Sequence, residues 1–428
     1  MKHLCVSCKN EITTGFHPFC NCGGMIDVKY PLEKVHLHDS PNPFIRFAEL
    51  LPIESLHDRL PVARYTPVIH ATSLGKKLGM PSLYLKNETV LPTKSTKDRM
   101  AAVSLAYLYE RGVRSFCTSS TGNSSTAYAC EIQAYPEMHL YLFTAENFVS
   151  RVQHADHSQV THFGLRDASF VEAFAYAGVF ARENKLVAER GFFNIGRREG
   201  LKMTFLEASE QIPQTIDWYV QAVSSGMGVY GNYKAAKELY QLKRIKHLPK
   251  LLCVQQDTCA PMVRAFANNS ETIASEYVVK KPKGIASSIL RGDPTRAYPH
   301  IKRIVMESNG AFVAVSEAEI REARQAVEEY EGISPCFSAS SAIAGIIKMA
   351  RNDNFPKNDV VMINVTGGDR ATAEYPSNIK WLNNTTNGWM PEDRYQRIRS
   401  PARLIGNFFA VELFEFMNEN QDFMLDHW

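Results

Sequence analysis

The sequence predicts an α/β protein built on mostly parallel sheets. Between Pro81 and Val365, short apolar runs alternate with helical patterns, the signature of strands joined by crossover helices. The chain has 428 residues, 45% of them apolar, which is enough for two or three cores. It shows no internal repeat and no low-complexity tract. Strands are expected at 82–86, 115–118, 139–143, 218–223, 251–255 and 360–365. Helices are expected at 98–112, 124–134, 230–243, 317–330 and 340–351, with a further αβ unit from Phe148 to Glu189 whose helical spacing centres on 171–181. The stretch 383–389 is rich in Asn and Thr and reads as a loop. The aromatic stretch 404–417 reads as a helix packed on the body or on a second subunit.

Charge and composition exclude several classes. Lys and Arg number 48 against 45 Asp and Glu, a net charge of +3. A general nucleic-acid binder needs a clear basic excess. No apolar run approaches the roughly 20 residues that span a bilayer. The N-terminus carries no apolar leader, so a cytoplasmic protein is expected, with no membrane and no nucleic-acid partner. Nine cysteines, four in the first 22 residues and five spread singly, are not a disulfide framework.

Cys5 and Cys8, followed by Cys20 and Cys22, read as a small ribbon. Four thiolates on two turns surround a tetrahedral zinc ion, or the ribbon folds without metal. A zinc ion bound by four cysteines is structural and not catalytic.

Four segments at strand ends carry the chemistry, because ligands of open α/β sheets sit at the carboxyl ends of strands. In Leu91–Arg99, Ser95 and Asp98 have capping-box spacing, which places Lys97 in a first helical turn. An ammonium is disfavoured there, and a lowered pKa suits an amine that forms a Schiff base; the alternative is a solvated lysine. Thr118–Thr126 packs hydroxyl residues around Gly122 and Asn123, offering amides to a ligand, or simply turning the chain. Val223–Gly231 holds Gly226, Gly228 and Gly231 between a strand and a helix, a phosphate cradle in outline or a tight turn. Thr366, with Gly367 and Gly368 behind it, ends the last strand with one hydroxyl.

Taken together these segments resemble the threonine synthase and cysteate synthase group of fold-type II pyridoxal phosphate (PLP) enzymes. The group's N-P-T-x-S-F-K-D-R motif is matched by Leu91-Pro92-Thr93-Lys94-Ser95-Thr96-Lys97-Asp98-Arg99, and S-T-G-N-T-S by Ser120 to Ser125. The R-x-E-G-x-K-T stretch is matched by Arg198 to Thr204, and T-G-x-G by Thr366-Gly367-Gly368. The resemblance covers roughly residues 1–375. It implies a tryptophan-synthase β-like fold with two α/β domains: a ribbon at 1–30, a larger PLP-binding domain from 31–104 and 195–380, a smaller domain at 105–194 and a tail at 381–428. It implies that Lys97 is catalytic and holds PLP. Asn123 then binds the ring 3′-oxygen, and the backbone amides of Gly226, Met227, Gly228, Val229 and Tyr230 hold the phosphate. Thr366 contacts the ring nitrogen.

Lys94, Ser120, Thr121 and Arg291 are the implied substrate contacts, with Lys202, Arg198 and Arg296 as further candidate cations. Lys94, one helical turn from Lys97, would bind an anionic group or lower the Lys97 pKa. Thr96 replaces the group's Phe, and Cys336 stands where threonine synthases carry the Glu of E-P-A-S-A. The implied reaction is elimination and replacement at the β or γ carbon of a small amino acid, O-phosphoserine or O-phosphohomoserine, by a homodimer. The alternatives are another activated amino acid or a non-catalytic homologue.

Overall fold

The structure is a computed structural model. It describes residues 1–55, 59–61, 65–351, 355–371, 375, 378–386 and 388–392. Two six-stranded sheets and one two-stranded ribbon organise them.

The larger sheet runs, in spatial order, Ala311–Val315, Lys250–Gln256, Trp218–Ala222, Val361–Val365, Leu83–Asn87 and Val68–His70. All neighbours are parallel except the last pair. The three central strands are buried at every residue. Helices therefore cover both faces, and these strands read as continuous apolar runs without alternation. The smaller sheet runs Gly388–Pro391, Lys380–Thr385, Val160–Leu165, His139–Ala145, Ser115–Ser119 and Val187–Ala188. Each of the six expected strands exists to within one or two residues. In the two large sheets, Val68–His70 and Ala311–Val315 were not expected, while Val160–Leu165 and Val187–Ala188 flank the helix Phe170–Glu183 in the expected αβ unit.

The expected loop at 383–389 is instead a hairpin. Lys380–Thr385 pairs antiparallel with Gly388–Pro391 and parallel with Val160–Leu165, extending the smaller sheet. Gly388 takes a positive φ of 87° at the turn, and the Asn-Gly pair before Trp389 is a hairpin signal that the Asn and Thr content obscured. The expected tail from 381 thus begins inside a sheet strand. The expected boundary at 104 falls inside the helix Lys97–Glu110. The helix expected at 404–417 lies outside the described residues.

One buried ion cluster fixes that helix. Lys86 on the Leu83–Asn87 strand, Glu88 just after it, Arg99 and Glu207 are almost wholly buried. Arg99 bonds Glu88 at 2.6 Å and also pairs with Glu207, which accepts from Lys86 at 2.8 Å. Because Arg99 lies two residues beyond Lys97, the cluster holds the first turn of the lysine helix against the sheet.

A second cluster ties the N-terminal ribbon to the body. Asp27 on the strand Ile26–Lys29 accepts from Tyr230 and Lys234 at 3.0 Å each, and Lys234 also reaches Glu199 at 2.6 Å. Among the described residues no helix is long and apolar enough to cross a membrane.

Candidate active site

The carboxyl ends of Trp218–Ala222, Val361–Val365 and Ser115–Ser119 meet the start of the lysine helix around one cleft. It is lined by Lys97, Ser120, Thr121, Asn123, Gly226, Met227, Gly228, Arg291 and Thr366, all anticipated in the sequence, together with Arg197, Cys336, Phe170 and Phe174. Thr96 N–H donates to the Thr366 carbonyl at 2.9 Å, so the first and last of the site segments are stitched directly.

The lysine helix does start at Lys97, but not through a capping box. Ser95 Oγ accepts from Lys97 N–H at 3.1 Å, while Asp98 turns back to accept the N–H and hydroxyl of Thr93. Burial, and next the guanidinium of Arg197, lower the Lys97 ammonium to about 8. The like charge beside Lys97 is thus Arg197. Lys94 is exposed, has a positive φ of 54° and does not line the cleft. Backbone in the left-handed region directs its side chain away from the helix turn that the spacing alone suggested.

Arg197 was not anticipated, although its neighbour Arg198 was. Adjacent residues on the helix Ile195–Leu201 point about 100° apart. Arg197 faces the cleft, where it bonds Ser124 at 3.3 Å, Thr118 at 3.1 Å, Tyr128 at 3.2 Å and Glu189. Arg198 faces the ribbon and donates to the carbonyls of Ile26 and Phe192. Lys202 is fully buried between Glu199 and Glu238. Arg296 stacks on Phe19 and Phe193. None of these three lines the cleft. The arginine doublet at 197–198 was the signal, and helical phase decides between its members.

The cradle lies at the N-terminus of the helix Met227–Gln241. As the first three helical residues, Met227, Gly228 and Val229 have no carbonyl one turn back to receive their N–H groups. Tyr230 differs from the expectation. Its N–H is used by the Gly226 carbonyl at 2.9 Å, and its hydroxyl bonds Asp27. Val229 is wholly buried and does not line the cleft. Gly226 has φ +78°, and a Cβ there would fall 2.6 Å from Ile301; a Cβ on Gly228 would fall 2.6 Å from the Gln221 amide. Gly226 requires glycine on both counts, whereas a side chain at 228 would displace the Gln221 amide.

Across the cleft, the Asn123 side-chain oxygen accepts from Arg370 at 2.6 Å, leaving its NH₂ to donate. Ser120 Oγ is occupied within its loop, accepting from Gly122 and Ser125 N–H at 3.1 and 3.0 Å. Ser119 lines the cleft, and its Oγ is buried with no hydrogen-bond partner among the described residues. A primary amine held below its ordinary pKa, an anion cradle, an amide donor, a strand-end hydroxyl and an unpartnered buried hydroxyl form a donor set that fits PLP.

The comparisons agree with the geometry. The chain belongs to the pyridoxal-phosphate-dependent enzyme family, whose profile matches residues 60–367. It is a divergent member of the threonine synthase and cysteate synthase group. It is 26% identical over 383 residues to a cysteate synthase of Methanospirillum hungatei, covering 86% of this chain and 89% of that one. It is 27% identical over 361 residues to a threonine synthase of Methanocaldococcus jannaschii, covering 81% and 87%. Among solved structures it resembles a threonine deaminase of Solanum lycopersicum, with TM-score 0.62 and 19% identity over 79% of this chain and 92% of that one. Maize serine racemase gives TM-score 0.60 at 20% identity, covering 72% and 89%. The fold is thus fold-type II, and the cofactor is PLP. The chain is an enzyme of elimination and replacement chemistry.

In the ribbon, the four cysteine sulfurs lie within 4.8 Å of one another. Cys5 and Cys22 are 3.5 Å apart, Cys8 and Cys20 3.6 Å. Sulfurs about 2.3 Å from one tetrahedral zinc stand about 3.8 Å apart, so the cluster is compatible with that ion.

Proposed function

We propose that this chain catalyses β- or γ-elimination and replacement on an O-phospho-amino acid, O-phosphoserine or O-phosphohomoserine. The observation that carries the reading is the Lys97 amine, brought to about 8 inside a cleft that also presents Arg197 and Arg291. At that value an appreciable fraction is neutral near physiological pH, so one group both holds the cofactor and moves the Cα proton. Bound in the cleft, PLP supplies the electron sink for the carbanion formed at Cα.

The chain's own residues do the rest. The amides of Gly226 to Val229 bind the cofactor phosphate. The Asn123 NH₂ would donate to the ring oxygen, and the Thr366 hydroxyl would serve the ring nitrogen. Thr121 and the unpartnered Ser119 hydroxyl receive the substrate carboxylate. Arg291, half-buried and with its Nε donating to the Asp293 carbonyl at 3.0 Å, attracts the anionic leaving group. Phe170 and Phe174 wall the cleft from water. The ribbon holds a structural zinc.

The test is phosphate release from O-phosphoserine and from O-phosphohomoserine, each with and without sulfite. Release from phosphoserine establishes β-chemistry, and release from phosphohomoserine γ-chemistry. Silence with both, in protein that holds PLP, overturns the phospho-amino-acid reading.

A further inference from the structure

Beside the main cleft lies a second cavity. It shares Asn123, Cys336, Ser287 and Ser288 with the cleft and adds Arg151 and Arg370. The two arginines come from distant segments and converge here. Arg151 follows the strand His139–Ala145, and Arg370 follows Val361–Val365. Arg370 donates to the Arg151 carbonyl at 3.2 Å. Arg151 points its guanidinium at two hydroxyls, Ser287 Oγ at 2.9 Å and Ser288 Oγ at 2.8 Å.

Neither guanidinium makes an ion pair with a carboxylate among the described residues. By contrast, Arg197 is closed by Glu189, and Arg99 by Glu88 and Glu207. Arg370 Nη1 is buried and has no hydrogen-bond partner among the described residues. Burial lowers the pKa of both groups, and Arg151 lowers that of Arg370 further. Asp369, which also lines the cavity, is paired with Arg324, and Asp98 acts on Arg370 without bonding it. Two like charges in one partly desolvated cavity, with no carboxylate bonded to either among the described residues, are costly, and an anion between them lowers the cost. Guanidinium forks and serine hydroxyls are the donors that oxyanions take.

We infer that Arg151 and Arg370, with Ser287 and Ser288, form a second anion subsite that binds an oxyanion next to the reacting centre. It is separate from the phosphate cradle and from Arg197. The oxyanion has two sources: a free inorganic anion that enters as nucleophile or leaves as product, or the distal carboxylate or phosphate of the amino acid itself. The subsite rests on the proposed reaction for its use, but not for its existence, so its test is equilibrium binding.

The experiment is calorimetric titration of PLP-loaded enzyme at low ionic strength with phosphate, sulfite and glutamate. Wild type is compared with Arg151→Gln, Arg370→Gln and Ser288→Asp, with cofactor absorbance confirming loading. Binding of a free anion that weakens at least tenfold in the Gln variants, and vanishes in Ser288→Asp, supports the subsite and assigns the first source. The same loss seen only with glutamate supports it and assigns the second. If Arg370→Gln does not load cofactor, because Asn123 loses its partner, Arg151→Gln and Ser288→Asp carry the test. No binding at millimolar anion, or binding unchanged in Arg151→Gln and Ser288→Asp, overturns it. Anion binding in a protein that releases no phosphate from either phospho-amino acid retires the proposed reaction and leaves the subsite standing.

Discussion

Glu189 closes on the guanidinium of Arg197, both side chains almost wholly buried, and Arg197 in turn is the strongest cationic influence on the Lys97 amine. The pair thus places a charge beside the lysine while holding its net cost down. Replacing it by Arg197→Gln with Glu189→Gln removes a positive neighbour, and the Lys97 ammonium then becomes more stable. In wild-type apoprotein the rate of PLP uptake should rise with pH through about 8. In the double variant the midpoint should move up by roughly half a unit or more. Cofactor absorbance followed against pH measures it. An unmoved midpoint would mean that burial alone sets the Lys97 value.

The same lysine predicts a stability trend in the apoprotein. Its folded value of about 8 lies below the ordinary 10.5. Between those values the unfolded chain binds more protons than the folded one, so stability from this group rises with pH across the window. Below pH 8 the full cost is present. Lys97→Met should therefore melt about 2–4 °C higher than wild-type apoprotein at pH 7, with the gain gone by pH 10.5. Thermal melts at three pH values decide it; a gain independent of pH would point to packing instead.

Arg99 is predicted to be structural. Arg99→Ala leaves Glu88 and Glu207 buried with only Lys86 to compensate them. The expected loss is about 3–5 kcal/mol in urea unfolding. Lys97→Met serves as the contrast, losing cofactor attachment without this loss of stability.

The ribbon gives a metal prediction. Purified protein should carry zinc, and Cys22→Ser should lose it. Chelation should also lower the melting temperature, because Asp27 links the ribbon to Tyr230 and Lys234. Zinc-free protein with an unchanged melting temperature would show that the ribbon folds on hydrogen bonds alone.

Much of this was legible in the sequence, for particular physical reasons. The central strands announce themselves because both faces are buried. The glycines at 226 and 228 and the lysine at 97 sit where strand-to-helix turns must place them. What was not legible depended on three dimensions. Lys94 and Lys97 share a helical spacing on paper, but the left-handed backbone at Lys94 breaks it. Arg197 and Arg198 are equivalent as letters and opposite in the fold. Tyr230 fell one residue too far into its helix to keep a free amide. Arg370 meets Asn123 across a sequence gap of 247 residues, which no local pattern reveals.

The stitch between Thr96 and Thr366 has a consequence for biosynthesis. The groups proposed to grip the cofactor come from the first third, the middle and the far end of the chain, and they meet only after the Val361–Val365 strand inserts between Leu83–Asn87 and Trp218–Ala222. A ribosome-bound chain that has not yet released residue 366 lacks the central strand of its larger sheet. Cofactor capture is therefore a late event in the life of the polypeptide, and the yellow colour of a PLP-bound lysine would report that the sheet has closed.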